Sequence, residues 1–345
     1  MKLLLVFLMG LSSALAQEAT VEKLDVRARK YNRNFNISGP ESMAQGIYRK
    51  ILVTSVADGK IYSMDSRVGS KKILVFADFT KLKNWKKTDR IVGMINDPDG
   101  NIFVVSPDYD NGSIFFIDKE NGYQDNNIIQ VVKNAGRLND IHIDKDSGML
   151  FTTRQEQSGE VQKYNLQSLY YRSMERTIHT YSESVNHLAE VSMPNGITMG
   201  HAGKLMVTAS ELTSSYIKEI DTATGNVQEF KELGFNKWPD GLLYSEKHNQ
   251  YLLTDNLNGT IESINTDGET VKKIELNVGE ENISPANIYI QDDYIYIADL
   301  WYPSMTNLLK YEFSDALKVF GDKFKKENIH TYHHNIYVLF EEDLF

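Results

Sequence analysis

Four oxygen-bearing side chains stand just ahead of short apolar runs: Glu41 in "GPESMA", Asn139 in "RLNDIHI", Asn195 in "MPNGITM" and Asp240 in "WPDGLLY". Asn287 in "SPANIYI" is a fifth of the same kind, and from Asn139 onward they recur every 45 to 56 residues. Glu41 and Asp240 bring two negative charges and the asparagines bring neutral amide oxygens. With no imidazole or thiolate among them, these hard donors favour Ca²⁺, or else Mg²⁺ or Mn²⁺, over zinc or copper. Two carboxylates balance a dication, and Ca²⁺ would still need water or substrate oxygens to fill its roughly 6 to 8 positions. Asn, Asp, Pro and Gly also form ordinary turns into strands. The chemistry therefore requires a fold that brings these positions to one place.

The elements that must do so are β-strands. Alternating apolar and β-branched runs, punctuated by Gly, Asp and Asn, recur along the chain, with few stripes of helical period. One unit repeats: "ADGKIYSMD", "DNGSIFFID", "SGEVQKYN", "SSYIKEID" and "NGTIESIN", with a degenerate "TNLLKYE" ending at Glu312, at intervals of 44 to 56 residues. Six copies at this spacing predict six four-stranded units, the signature of a six-bladed β-propeller; a β-helix or stacked sandwiches predict no such period. Rotation about the propeller axis then brings the inner-strand signatures to one mouth of the channel. Blade 2 has only the apolar "RIVGMIND" there. "EKLDVRARKYN" and "IHTYHHNIYVLFEEDLF" are the candidates for a closing strand, and "LQSLYYRSMERTIHTYSESVNH" is a polar insert after blade 3, expected to be partly helical and to act as a lid.

Residues 1–16, "MKLLLVFLMGLSSALA", carry one Lys, an apolar run and a small-residue end, the pattern of a secretory signal and too short to span a membrane. The mature chain is then expected to be secreted, with residues 17–345 as a single propeller domain and a monomer. Sequons at Asn36, Asn111, Asn258 and Asn282 suit a glycosylated surface, although Pro285 makes the last a poor acceptor. The chain has no cysteine, which excludes disulfides, thiolate metal sites and a cysteine nucleophile. A net charge of −10 argues against nucleic acid and anionic membranes as partners and leaves a small-molecule substrate.

Taken in order, "GPES", "RLND", "PNGI" and "PDGL" resemble the SMP-30/gluconolactonase (regucalcin-like) family of six-bladed calcium propeller lactonases, over residues of about 35 to 315. The resemblance implies that Glu41, Asn195 and Asp240 hold the metal, that Arg137 and Asn139 contact substrate, and that Asp240 is the general base of lactone or ester hydrolysis. The chain departs from the family's usual "EGP-x-W": its Glu follows Gly-Pro and the Trp is absent, which is closer to the strictosidine-synthase-like and paraoxonase-like relatives. A non-catalytic propeller binding a small ligand or partner protein, and a lyase-like role, are the other classes the sequence allows.

Other motifs are absent or weak. There is no G-x-S-x-G, P-loop or H-E-x-x-H. "DKDSG" at 144 lacks the Glu an EF-hand needs and reads as a hairpin turn; His142, on the strand after Asn139, is expected to pack within its blade, and His333-His334 to be structural.

Overall fold

The computed structural model describes residues 37, 39–65, 73–119, 127–156, 158–211, 213–278, 281–282, 284–292, 294–300 and 336–340. The leader, "EKLDVRARKYN", "TNLLKYE", His333-His334 and Asn36 all lie outside them. Among the described residues no helix is long and apolar enough to cross a membrane.

The architecture is an all-β propeller. Blade 1 runs Pro40–Gln45, Lys50–Ser55, Lys60–Asp65 and Ile73–Asp78 in simple antiparallel order. Blades 4 (Pro194–Met199 through Val227–Gly234) and 5 (Pro239–Ser245 through Thr270–Glu275) repeat that order. Blade 3 runs from Leu138–Asp144 to Glu160–Asn165 and takes His187–Glu190 as its outer strand. Blade 2 spans Met94–Asn96 to Ile128–Lys133 and gains His179–Thr180 as a parallel fifth strand.

Six four-stranded units were expected; among the described residues five sheets are complete and the sixth has three strands, Pro285–Gln291, Tyr294–Asp299 and Ile336–Phe340. The first five copies of the repeated unit are the third strands of their blades. In the sixth sheet that place belongs to Ile336–Phe340, from the segment expected to close the ring. Asn277–Val278 and Glu281–Asn282 make a separate two-stranded ribbon.

Each blade buries its apolar side chains against its neighbours, since a single sheet has no core of its own. Ala44, Leu52 and Ile61 of blade 1 pack with Ile102, Val104 and Phe115 of blade 2. Met43, Ile51 and Val53 pack on the other side with Tyr296 and Ala298 of the sixth sheet, which closes the circle. Second strands such as Ile102–Ser106 are buried throughout, whereas the outer strand Val227–Gly234 has no buried residue.

One irregularity recurs in five of the inner strands, all but that of blade 2, and positions the site. Pro40 pairs with Ser55 but Met43 with Val53, so two residues, Glu41 and Ser42, oppose Thr54 alone. The same β-bulge sets Asn139 and Asp140 against Thr153, Asn195 and Gly196 against Thr208, Asp240 and Gly241 against Thr254, and Ala286 and Asn287 against Ala298. Bulges bend a strand and redirect side chains, and here they do so at one level around the axis.

The polar insert is partly helical as expected, with a helix Leu166–Glu175 capped by Asn165, whose Oδ1 accepts from Ser168 N at 2.9 Å. It is not a lid. The helix leaves the end of a third strand remote from the bulges, and Tyr170 donates to Asp97 Oδ2 at 2.8 Å just past the far end of blade 2's inner strand. Tyr181 and His187 fasten the rest of the insert to buried Glu160 at 2.6 and 2.7 Å. "DKDSG" is the predicted hairpin turn, closed by Gly148 N to Asp144 O at 3.0 Å.

Candidate functional site

The bulges converge. Glu41, Ser42, Gly93, Asn139, Asp140, Asn195, Asp240, Gly241 and Asn287 line one axial cavity of about 200 Å³ including its open mouth. Between the side chains there is room for about one water-sized body.

A ring of hydrogen bonds sets the spacing. Thr54 Oγ1 accepts from Ser42 N at 2.9 Å and donates to Val92 O of the next blade at 3.0 Å. Thr153 does the same between Asp140 N and Asn195 O (2.9 and 2.8 Å), and Thr254 between Gly241 N and Ala286 O (2.7 and 2.9 Å). Thr208 reaches Asp240 O at 3.5 Å. Blade 2 has Val105 in this place, and its Gly93 N donates directly to Asn139 O at 3.0 Å. Asn287 Nδ2 to Ser42 Oγ at 3.5 Å joins the sixth sheet to the first.

The glycines of "PNG" and "PDG" follow from this closeness. A Cβ on Gly241 would lie 2.6 Å from Ala286 O and 2.8 Å from Asn287 Cα, and one on Gly196 would lie 2.1 Å from Asp240 O. Only glycine lets neighbouring inner strands approach so far.

Of the residues singled out in the sequence, Glu41, Asn139, Asn195 and Asp240 line the cavity together. Asn139 Nδ2 donates to Asn195 Oδ1 across the blade 3–4 boundary, leaving that oxygen a second lone pair. Asn287 also lines the cavity, but it occupies the second bulge position; Ala286 is the structural counterpart of Asp240. Arg137 is exposed and lies outside the cavity wall; its carbonyl accepts from Gln155 N at 2.8 Å. His142 stays neutral, its pKa pushed down to about 4 by burial.

Electrostatically the cavity is an acid trap. Burial is the main cause that pushes Asp240 up to about 7 and Asp140 up to about 6; hydrogen bonds from Asn256 and Asn195 oppose it at Asp240 and backbone amides oppose it at Asp140. Glu41 is raised well above the ordinary carboxylate range by burial first, then by Asp240 and Asp140, with Arg90 opposing. Glu41 Oε2 is shut off from solvent and accepts no hydrogen bond. Among the described residues no three of His, Cys, Asp and Glu group as a metal site. The candidate set of Glu41, Asn195 and Asp240 draws one donor from an amide, and the orphaned Glu41 oxygen with two acid-strained carboxylates fits a hard dication.

Sequence reasoning passed over Asp140, the threonine clips and Asn256, whose Nδ2 donates to Asp240 Oδ2 at 2.8 Å. The one available signal was phase: Thr54, Thr153 and Thr254 each sit next to last in a second strand, and Thr208 one residue earlier in its own.

Fold and cavity together define a β-propeller with a polar, oxygen-lined axial pocket. The chain belongs to the SMP-30/gluconolactonase/LRE-like family, whose model matches residues 49–290. Among solved structures it is similar to a calcium-binding regucalcin from Agrobacterium tumefaciens (11% identity, TM-score 0.58, covering 90% of this chain and 92% of that one). It is similar also to a gluconolactonase from Xanthomonas campestris (13%, 0.55, 76% and 83%). A PQQ-bound aldose sugar dehydrogenase from Streptomyces coelicolor shares the fold at 12% identity and TM-score 0.62, covering 90% of this chain and 96% of that one. At these identities the likeness is one of fold. Comparison with curated protein sequences finds no match.

Proposed function

We propose that this chain is a secreted, divalent-cation-dependent hydrolase of small lactones or esters, with Ca²⁺ held by Glu41, Asn195 and Asp240. The observation that carries the reading is the buried, unpartnered Glu41 Oε2 in the same cavity wall as Asp240. Family membership and the gluconolactonase and regucalcin neighbours support it. We count the ring as six-bladed, because the sixth sheet packs between blades 5 and 1. The leader and the N-x-Ser/Thr sequons support export.

When bound, the ion would act as a Lewis acid toward the scissile carbonyl. Asp240, buried in the same cavity wall, would accept a proton from the attacking water. Asn139 Oδ1 accepts a substrate hydroxyl while its Nδ2 remains tied to Asn195. Arg137, on the rim, meets the outer part of an oxygen-rich substrate by a charge-assisted hydrogen bond. The narrow cavity favours small substrates whose reacting group alone enters.

That same narrowness favours a second reading, in which the ion braces the channel and catalysis is absent. Mature protein from Gln17 onward, assayed on aldonolactones and aryl esters with and without chelator, separates the two. The hydrolase reading expects chelator-sensitive turnover that Ca²⁺ restores and Asp240→Asn abolishes. No turnover above that variant on any substrate rejects it.

A further inference from the structure

We propose that Asn256 is a positioning residue that fixes the carboxylate of Asp240, and that Ser284 in turn fixes Asn256. The proposal rests on the reading of Asp240 given above and adds the residues that aim it. Asn256 Nδ2 donates to Asp240 Oδ2 at 2.8 Å. Ser284 Oγ donates to Asn256 Oδ1 and, at 3.1 Å, to Asn256 O, while Ser284 N donates to Asp299 Oδ1 at 3.0 Å. A carboxylate accepts and a hydroxyl pinned on the other side donates, so the amide has one satisfactory orientation. All four residues are buried: Asp240 is 7% exposed, Asn256 and Ser284 5%, and Asp299 2%.

The fold itself does not require an asparagine there. Asn256 follows the second strand of blade 5, and its backbone N–H donates to Trp238 O at 3.0 Å. The same backbone bond places Val56 on Gly39 O at 2.9 Å in blade 1, Gln155 on Arg137 O at 2.8 Å in blade 3 and Leu300 on Ser284 O at 3.0 Å in the sixth sheet. Val and Leu fill that slot without a side-chain polar group. In blade 5 the slot carries an amide, and the amide faces the axial acid. Partners of this kind hold a ligating or reacting carboxylate in its working orientation, and their loss commonly costs 10- to 100-fold in metal affinity or activity.

Asn256→Leu, a residue that the equivalent slot of the sixth sheet already accepts, is the informative variant. Its crystal structure is expected to show the Asp240 carboxylate turned from its wild-type orientation. Calorimetry with Ca²⁺ is expected to show affinity falling about 10- to 100-fold, with Ser284→Ala weaker by a smaller factor in the same direction. On a lactone substrate, kcat should fall while KM moves less. Asn258→Ala is the control for a merely structural loss: its Nδ2 bonds Asn236 O and Asp255 Oδ2 at 2.8 and 2.6 Å, away from the cavity, so it should lower Tm and leave Ca²⁺ affinity unchanged. An unmoved Asp240 in Asn256→Leu, or Ca²⁺ affinity equal to wild type, overturns the proposal. Wild-type protein that binds Ca²⁺ without turnover rejects the hydrolase reading alone and leaves the positioning role standing on the first two measurements.

Discussion

Thr153 Oγ1 donates to the carbonyl oxygen of Asn195 at 2.8 Å and itself accepts from Asp140 N at 2.9 Å. One side chain on a second strand thus fixes the bulge of its own blade and the first bulge residue of the next. Thr153→Val keeps the shape and removes both bonds, leaving a buried N–H and a buried C=O unsatisfied. The expected loss is on the order of 2–4 kcal/mol of unfolding free energy, read from denaturant midpoints at constant slope. A loss under about 0.5 kcal/mol would mean that water or backbone shifts replace the clip.

Gly241→Ala tests the close approach of blade 5 to the sixth sheet. The added methyl meets Ala286 O at 2.6 Å and Asn287 Cα at 2.8 Å, both on backbone that has little freedom to yield. A destabilisation of about 1–3 kcal/mol is expected. Weaker cation binding should accompany it, because Asp240 is the residue directly before. Gly148→Ala, in a hairpin turn where nothing lies within 4 Å of the new methyl, separates crowding from the strain of a positive φ of 66°.

Stability against pH follows from the raised acids. Asp240 titrates near 7 in the fold against an ordinary value of 3.8, so the native state binds more protons than the unfolded chain between those limits. Its contribution is therefore favourable at low pH and is lost as pH rises from about 4 to 7. Asp240→Asn removes that dependence. In chelator, the unfolding free energy of the variant minus that of wild type should grow as pH climbs through this window, by a margin of order a few kcal/mol. Added Ca²⁺ should reverse the order at pH 7, since an ion bound to the native state alone stabilises wild type. A difference that stays flat from pH 4 to 7 contradicts the assignment.

Arg137 is exposed and outside the cavity wall. Arg137→Ala should raise KM with kcat retained, the pattern of lost uniform binding, and should leave Ca²⁺ affinity untouched. Steady-state kinetics on one lactone with parallel calorimetry checks both halves.

Much of this was legible in the chain before its coordinates, and the reason is local. The period of two and the Gly/Asp turns mark third strands, and Pro followed by Asn or Asp marks inner strands, because both signals lie within a few residues. What escaped depends on contacts between blades. The bulge makes two inner-strand residues share one partner, so counting by period placed Asn287 level with Asp240 when Ala286 holds that position. The threonine clips look like ordinary strand residues until the neighbouring blade is in place. Asn256 in "TDNLNGT" reads as part of a turn, and only the fold brings Ser284 to one side of it and Asp240 to the other. The third strand of the sixth sheet, Ile336–Phe340, is far along the chain from its pairing partner and carries no copy of the repeat.

Calcium titration of the mature protein by calorimetry, beside Glu41→Gln, tests most directly whether the axial oxygens grip a dication. One site per chain is expected in wild type, with affinity reduced on the order of 100-fold or more in the variant, because the substitution removes one of two charges and the unpartnered oxygen. Wild-type protein that takes up no Ca²⁺, Mg²⁺ or Mn²⁺, or a Glu41→Gln variant that binds as tightly as wild type, would contradict the account.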